Sequence, residues 1–273
     1  MAPFLSADWR VHARVEITDE GVIEALTEAL ETTRRISLIS AMEHSFEKSR
    51  FASAAAHRSF YAQDWGVTEG EVDAMMARKV LMGACKERRR EQVAEIARTR
   101  GITLAGHDIA SAEELDQAKR LGATVCEFPL TIETALHARR AGMVTVLGAP
   151  NALRGRSTSR GNLLVADAVK AGACSALCSD YLPHSLLGGV FALHRSRTAP
   201  LEWLVDMVAG APAAAIGLPR PAIRPGELLN AVMVEPLNAL PIVSGIWRDG
   251  RMMMSRCPDP AHPFATAAVP SRL

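Results

Sequence analysis

ITLAGHDIASAEELDQAKRLGATVCEFP, residues 102–129, holds a complete strand–helix–strand unit. Ile102–Ala105 and Thr124–Phe128 are short, largely apolar runs of strand length. Between them Ser111-x-x-Glu114 marks a helix start, and Gly122 sits where a helix stops. The polar residues fall at one place in the unit: His107-Asp108 follows the first strand and Glu127 comes at the end of the second. The same texture continues outward in both directions. Trp9–Ile17, Ile36–Met42, Met143–Leu147 and Ala173–Cys178 are further strand candidates. Thr68-x-x-Glu71 is a capping box that opens a long helix to about Arg100, with Gly101 at its C-terminal cap, and Gly142 and Gly172 end two more helices. Six strands each followed by a helix predict an α/β fold with parallel strands and right-handed crossovers.

A doubly wound sheet and a (β/α) barrel both fit that alternation, and the polar residues decide between them. Glu16, His44, His107-Asp108, Glu127, Pro150-Asn151 and Ser179-Asp180 all lie at C-terminal ends of strand candidates. Chemistry contributed by many strand ends around one face is the pattern of a TIM-type barrel; a doubly wound sheet gathers it at one switch point. The expectation is therefore an incomplete (β/α)8 barrel of about six βα units, with the chain beginning inside the barrel. Residues 1–218 would form the barrel. After Leu218 the sequence turns proline-rich, and Ala231–Glu235, Ile242–Trp247 and Arg251–Ser255 read as short strands, with Asp249-Gly250 as a hairpin turn. Residues 219–257 would be a small β element and 258–273 a loose tail.

Composition excludes several functions. The chain has 273 residues, 48% of them hydrophobic, enough for a sizeable core. Lys and Arg total 31 against 30 for Asp and Glu, without the basic excess of a general nucleic-acid binder. No apolar window is long enough to span a membrane, and the start lacks a basic segment followed by an apolar one. Five cysteines, an odd number in apolar surroundings, read as reduced core residues of a cytoplasmic protein. Cys174-x-x-x-Cys178 lacks zinc-finger partners and reads as two small core residues.

Two groups of residues have the character of a site. Gly148-Ala-Pro-Asn-Ala-Leu-Arg-Gly-Arg-Ser-Thr-Ser-Arg-Gly-Asn162 lies after a strand and before a helix. Arg154, Arg156, Arg160 and the hydroxyls, Ser157 among them, suit phosphate oxygens, and the following helix start would add N–H donors. The plainer reading is a basic surface loop. Glu43, His44, His107, Asp108, Glu127 and Asp180 are of metal-ligand type, each able to come from its own strand end. Singly, each is equally a satisfied structural group. His12, Arg14 and Glu16 alternate and so share one side of a strand, which is barrel lumen or a solvated edge. Lys86-Glu-Arg-Arg-Arg90 reads as a solvated helix face.

Together these motifs resemble the phosphonate-metabolism protein M family (PhnM), the alpha-D-ribose 1-methylphosphonate 5-triphosphate diphosphatases of the amidohydrolase superfamily. The likeness rests on Asp8-x-x-x-His12-x-Arg14-x-Glu16, Ser37-Leu-x-x-x-Met42-x-His44, His107-Asp108, Glu127-Phe-Pro129 and Gly148-Ala-Pro-Asn151-x-x-Arg154-Gly155. It continues through Ser179-Asp180-Tyr-x-Pro183-x-Ser185-Leu-Leu187 and Ile223-x-Pro225-Gly226. The resemblance implies a metal-dependent hydrolase of the carbon–phosphorus lyase pathway that releases diphosphate from a ribose phosphonate triphosphate. It implies a divalent cation, zinc or manganese, with ligands His107 and Asp180 and further candidates His44 and Glu127. Asp180 and His107 would be catalytic, and Asn151, Arg154, Arg156, Ser157, Arg160, Arg14 and Glu16 would hold substrate.

The departures are specific. The family's first strand with a His-x-Asp metal pair, its second strand and the first half of a flanking β-sandwich domain have no counterpart here, so residues 219–257 would be a remnant of that domain. Ile109 replaces the second aspartate of a His-Asp-Asp motif. Met-Asp-His-Thr-Pro-Gly-Gln becomes Met42-Glu-His-Ser-Phe-Glu-Lys48, and Gly155-Arg-Ser-Thr-Ser-Arg-Gly-Asn162 loses a histidine and gains an arginine. Six strands would leave two sheet edges, inviting a second copy or a phosphonate-pathway protein as partner. The alternatives are a relative that binds a phosphorylated ligand or pathway partner without turnover, and another amidohydrolase activity on a cyclic amide. The arginine-rich loop counts against the last.

Overall fold

Val11, Ala13 and Val15 alternate with His12, Arg14 and Glu16 along β1 (Val11–Glu16), and that two-residue period sets the pattern for a six-stranded parallel sheet. The structure is a computed structural model and describes residues 8–44, 53–157, 163–237 and 240–255. Its elements run β1, α1 (Val22–Thr32), β2 (Ile36–Met42), α2 (Ala54–Trp65), α3 (Glu69–Met82), α4 (Lys86–Arg100), β3 (Thr103–His107), α5 (Ala112–Arg120) and β4 (Val125–Glu127). They continue through α6 (Ile132–Arg140), β5 (Val144–Gly148), α7 (Ala149–Arg154), α8 (Val165–Lys170), β6 (Ala176–Cys178), α9 (Ser185–Arg195), α10 (Leu201–Asp206) and α11 (Gly210–Ala215). The strands lie side by side in chain order, every neighbouring pair parallel.

The sheet is curled. Five spacings separate β1 from β6, about 24 Å if the sheet were flat. Yet Arg14 of β1 lies 3.6 Å from Asp180, two residues beyond β6, and His12 lies 3.8 Å from Glu127 of β4. Only an inward curl brings those side chains together, so the sheet is consistent with the expected open part of a barrel. Its convex face packs on helices. Val15, Ile39, Leu104 and Cys126 meet Leu26, Leu30, Val93 and Leu115 in one apolar cluster. Leu147 and Leu177 meet Val165, Val190, Leu193 and Leu204 in another.

Several local expectations need correction. The long helix from Thr68 to Arg100 is two helices: α3 ends at Met82 and a tight turn over Gly83–Cys85 precedes α4. Gly83 is a weak helix former. The break also lets Arg89 donate from one Nη1 to the carbonyls of Met82 and Ile17, at 2.7 and 3.1 Å. The Lys86–Arg90 cluster is consequently no solvated face: Arg89 is buried, and Lys86 and Arg90 grip the buried Glu43 at 2.6 and 2.8 Å. Residues 173–175, the first two of them buried, lie outside β6, because Ser175 and Thr145 exchange side-chain and backbone hydrogen bonds there. Part of the arginine-rich loop is helical, as α7, and Cys85 is exposed rather than in the core. Cys126 and Cys174 are buried; Cys257 lies outside the described residues.

Trp9–Arg220 forms one compact unit, and Pro221 onward belongs to another. In the latter, β7 (Ala231–Leu237), β8 (Leu240–Arg248) and β9 (Arg251–Ser255) make an antiparallel three-stranded sheet. Asp249 and Gly250 turn the β8–β9 hairpin with φ of 48° and 76°, the double positive φ of the expected tight turn.

Candidate metal and phosphate site

The concave face of the curled sheet carries the polar residues of β1–β4. His107 is the last residue of β3, which runs two residues past the expected strand end at Ala105. Gly106 makes its position attainable: a Cβ there would fall 2.7 Å from Ile109 Cδ1 and 3.2 Å from Ala118 Cβ, so β3 could not lie this close to α5. The residues that leave the strand ends turn sharply. Asp108, Phe128 and Asp180 have φ of 52°, 52° and 47°, a left-handed conformation that costs about 1–2 kcal/mol per residue. The backbone N–H groups of Asp108 and Phe128 donate hydrogen bonds to Glu127 O and Val146 O, 3.0 Å each, and hold the turn. Phe128 sets its ring edge-on to His107, with 5.2 Å between centroids. Strain collected at the strand ends is the condition in which side chains are aimed for chemistry.

Two polar groups result. In the first, His107 is buried, and one ligand atom of each of His44, His107 and Asp108 lies within 4.8 Å of the other two. His107 Nδ1 is buried without a hydrogen-bond partner among the described residues, and Asp108 Oδ2 lies 3.2 Å away. His107 Nε2 accepts from Arg14 Nη2 at 3.2 Å, Arg14 Nη1 lies 3.6 Å from Asp180, and Arg14 Nε is 3.1 Å from Met42 Sδ. Glu16 accepts from the His44 ring at 2.6 Å and from its backbone N–H, from the Thr18 hydroxyl, and faces Lys79 at 3.7 Å. Burial alone would raise the Glu16 pKa, but these donors outweigh it and hold the carboxyl at about 2.

In the second group Ser40 Oγ donates to Glu127 Oε2 at 2.7 Å and meets His12 Nε2 at 2.6 Å. All three sit on the concave side. Burial holds the His12 pKa below its ordinary value, Arg14 and His107 add to the effect, and Glu127 opposes it. Burial, with Glu127 adding to it, pushes the nearby Cys178 thiol up to about 12.

A buried imidazole nitrogen without a partner, next to a second imidazole and a carboxylate, fits a borderline divalent cation such as zinc or manganese. The structure places the sequence-nominated residues unevenly around it. His44 and His107 converge, joined by Asp108; Glu127 is held by Ser40, and Asp180 faces Arg14. Glu43 is taken up by α4 and lies apart. Arg14 and Glu16, read as lumen or edge, are within the site. Asn151 is half-buried on α7, Arg154 is exposed with its guanidinium 5.6 Å from the centre of the Tyr181 ring, and Arg156 and Ser157 follow the helix end. Arg160 lies outside the described residues. Ser40 was missed: its one signal was that it shares a strand face with Met42.

No family model matches the chain. It does align with alpha-D-ribose 1-methylphosphonate 5-triphosphate diphosphatase of Escherichia coli (strain K12), 30% identical over 249 residues. The chain is similar to this diphosphatase and spans less than two thirds of its length. The alignment takes in 90% of this chain and 65% of the E. coli diphosphatase. No helix among the described residues is long and apolar enough to cross a membrane.

Proposed function

We propose that the chain is a metal-dependent hydrolase of phosphonate breakdown, releasing diphosphate from the 5-triphosphate of ribose 1-methylphosphonate and leaving the 5-phosphate. The observation that carries this reading is the meeting of His44, His107 and Asp108 beside Arg14 and Asp180, on the same strand-end face from which α7 presents Arg154. Zinc or manganese held by His107 with His44, Asp108 or Asp180 would supply Lewis-acid polarisation of a phosphoryl oxygen. The chain's own residues do the rest. Asp180, half-exposed at its strained position, takes the proton from an attacking water at a carboxylate oxygen. Arg154, Arg156 and Arg14 neutralise charge on the polyphosphate as the bridging P–O bond breaks and diphosphate departs. Glu127, fixed by Ser40, keeps the imidazoles of His12 and His107 in a negative surround.

The test is diphosphate release from alpha-D-ribose 1-methylphosphonate 5-triphosphate by the purified chain with zinc or manganese. Release is expected, and it should vanish in His107→Ala and in Asp180→Ala. A folded chain that binds the triphosphate and releases nothing would instead establish the non-catalytic binding relative.

A further inference from the structure

The position of Arg14 has a consequence for the order in which ligands enter the site. Its guanidinium lies against His107 Nε2 at 3.2 Å and Asp180 Oδ1 at 3.6 Å. An arginine N–H needs a lone pair to donate to, so Nε2 is unprotonated in this arrangement. A neutral imidazole then carries its proton on Nδ1, the nitrogen beside Asp108. A cation binding at Nε2 would take the lone pair that Arg14 uses. A cation binding at Nδ1, with His44 and Asp108, would shift the ring proton to Nε2 and set two donors face to face. Whichever nitrogen is used, Arg14 must let go. Like charges at such separation also repel strongly in a partly desolvated cleft.

We propose that Arg14 is a resident counter-cation that competes with the divalent metal for His107 and Asp180, so that metal entry frees Arg14 for a phosphoryl group. This rests on the metal-dependent reading above and makes Arg14 the link between metal and polyphosphate. Phosphate drawing Arg14 outward favours the metal, and the metal favours phosphate by the same factor. Arg14 suits the part: it is about half exposed, so its head group can swing outward while its stem stays on β1.

The experiment is calorimetric titration of zinc, and separately manganese, into the chain freed of metal, with Arg14→Gln, Arg14→Lys and His107→Ala alongside. Circular dichroism and melting temperature confirm each fold. Arg14→Gln is expected to bind metal about tenfold or more tightly than the parent, since a full positive charge has been removed from the site. Arg14→Lys, which keeps the charge, should stay within about threefold of the parent. His107→Ala should bind weakest. If Arg14→Gln does not fold, Arg14→Lys decides: a tenfold gain there would overturn charge competition. If parent and Arg14→Gln bind metal alike, or the variant binds more weakly, the competition is overturned while the metal site stands. If neither binds metal, the metal site itself falls, and the competition with it.

Discussion

The two halves of the sheet use the same concave face differently. On β1–β4 it carries His12, Arg14, Glu16, Ser40, Met42, His107 and Glu127, linked by direct contacts between neighbouring strands and, for Arg14–His107 and Ser40–Glu127, across an intervening one. On β5–β6 the same face carries Val144, Val146, Gly148, Ala176 and Cys178, because Leu147 and Leu177 point to the helices. The functional groups of that half stand beyond the strand ends: Asp180, Arg154 and Tyr181 are on turns and short helices, open to solvent. One half is a network whose members bond mostly to one another, with His107 Nδ1 left over; the other is a rim tied to it through Asp180 and Arg14. Removing a member of the network should therefore cost folding free energy, and removing a member of the rim should cost catalysis or affinity.

Asp180→Asn makes the sharpest contrast. It keeps the shape of the turn and asparagine tolerates the left-handed conformation. As the proton acceptor it should lower kcat by about a thousandfold, some 4 kcal/mol of transition-state stabilisation, with its melting temperature unchanged. A large drop in melting temperature with activity retained would move Asp180 from the rim into the network and erase the distinction. Ser40→Val makes the opposite prediction. It adds a heavy atom at a buried position and strips Glu127 and His12 of a shared partner inside the curl, for about 1–3 kcal/mol of lost stability by urea unfolding. If Ser40→Val is as stable as the parent, the hydroxyl bridge is incidental.

That same division explains what the sequence could and could not disclose. The strands were legible because Ile36–Met42 and its companions alternate or run apolar, and a local period needs no knowledge of the rest of the chain. His107 and Asp180 were legible for a like reason, since each ends a strand candidate. Ser40 was not, because a lone serine in a strand says nothing until β1 and β4 are brought to either side of it. The Arg14 bridge to His107 and Asp180 depends on the curl across six strands, a long-range property. The break at Gly83 was hidden too. A good capping box at Thr68 and a glycine at 101 bracket one continuous helix by local rules, and only the buried Arg89 contacts favour two.

Acid should separate the halves by a different route. Glu16 has a folded pKa of about 2 against an ordinary 4.5, held down by His44, Thr18 and Lys79 against the opposing effect of burial. A depressed carboxyl stabilises the fold fully above its unfolded pKa and loses that contribution as pH falls through the folded value. In the presence of a chelator, the parent should therefore be more stable than Glu16→Gln near neutrality, and the gap should close between pH 4.5 and about 2. Urea unfolding over that range reads it directly. A gap that is independent of pH would mean that shape, not charge, is what Glu16 contributes to the network.

The smallest expected effect belongs to Arg154. Its guanidinium rests over the Tyr181 ring and its head is otherwise open to solvent, so Arg154→Ala forfeits about 0.5 kcal/mol at most from the ring contact. Folding should hardly register it. On a polyphosphate the same side chain contributes a charge-assisted contact at the exposed end of α7, where water and salt weaken it, so KM should rise about fivefold with kcat little altered. The rise should shrink as ionic strength increases, because screening already removes much of what the mutation removes. Equal KM values for parent and variant in dilute buffer would take Arg154 off the rim. A fall in kcat without a change in KM would place it at the bond being broken, closer to Asp180 than its present contact with Tyr181 implies.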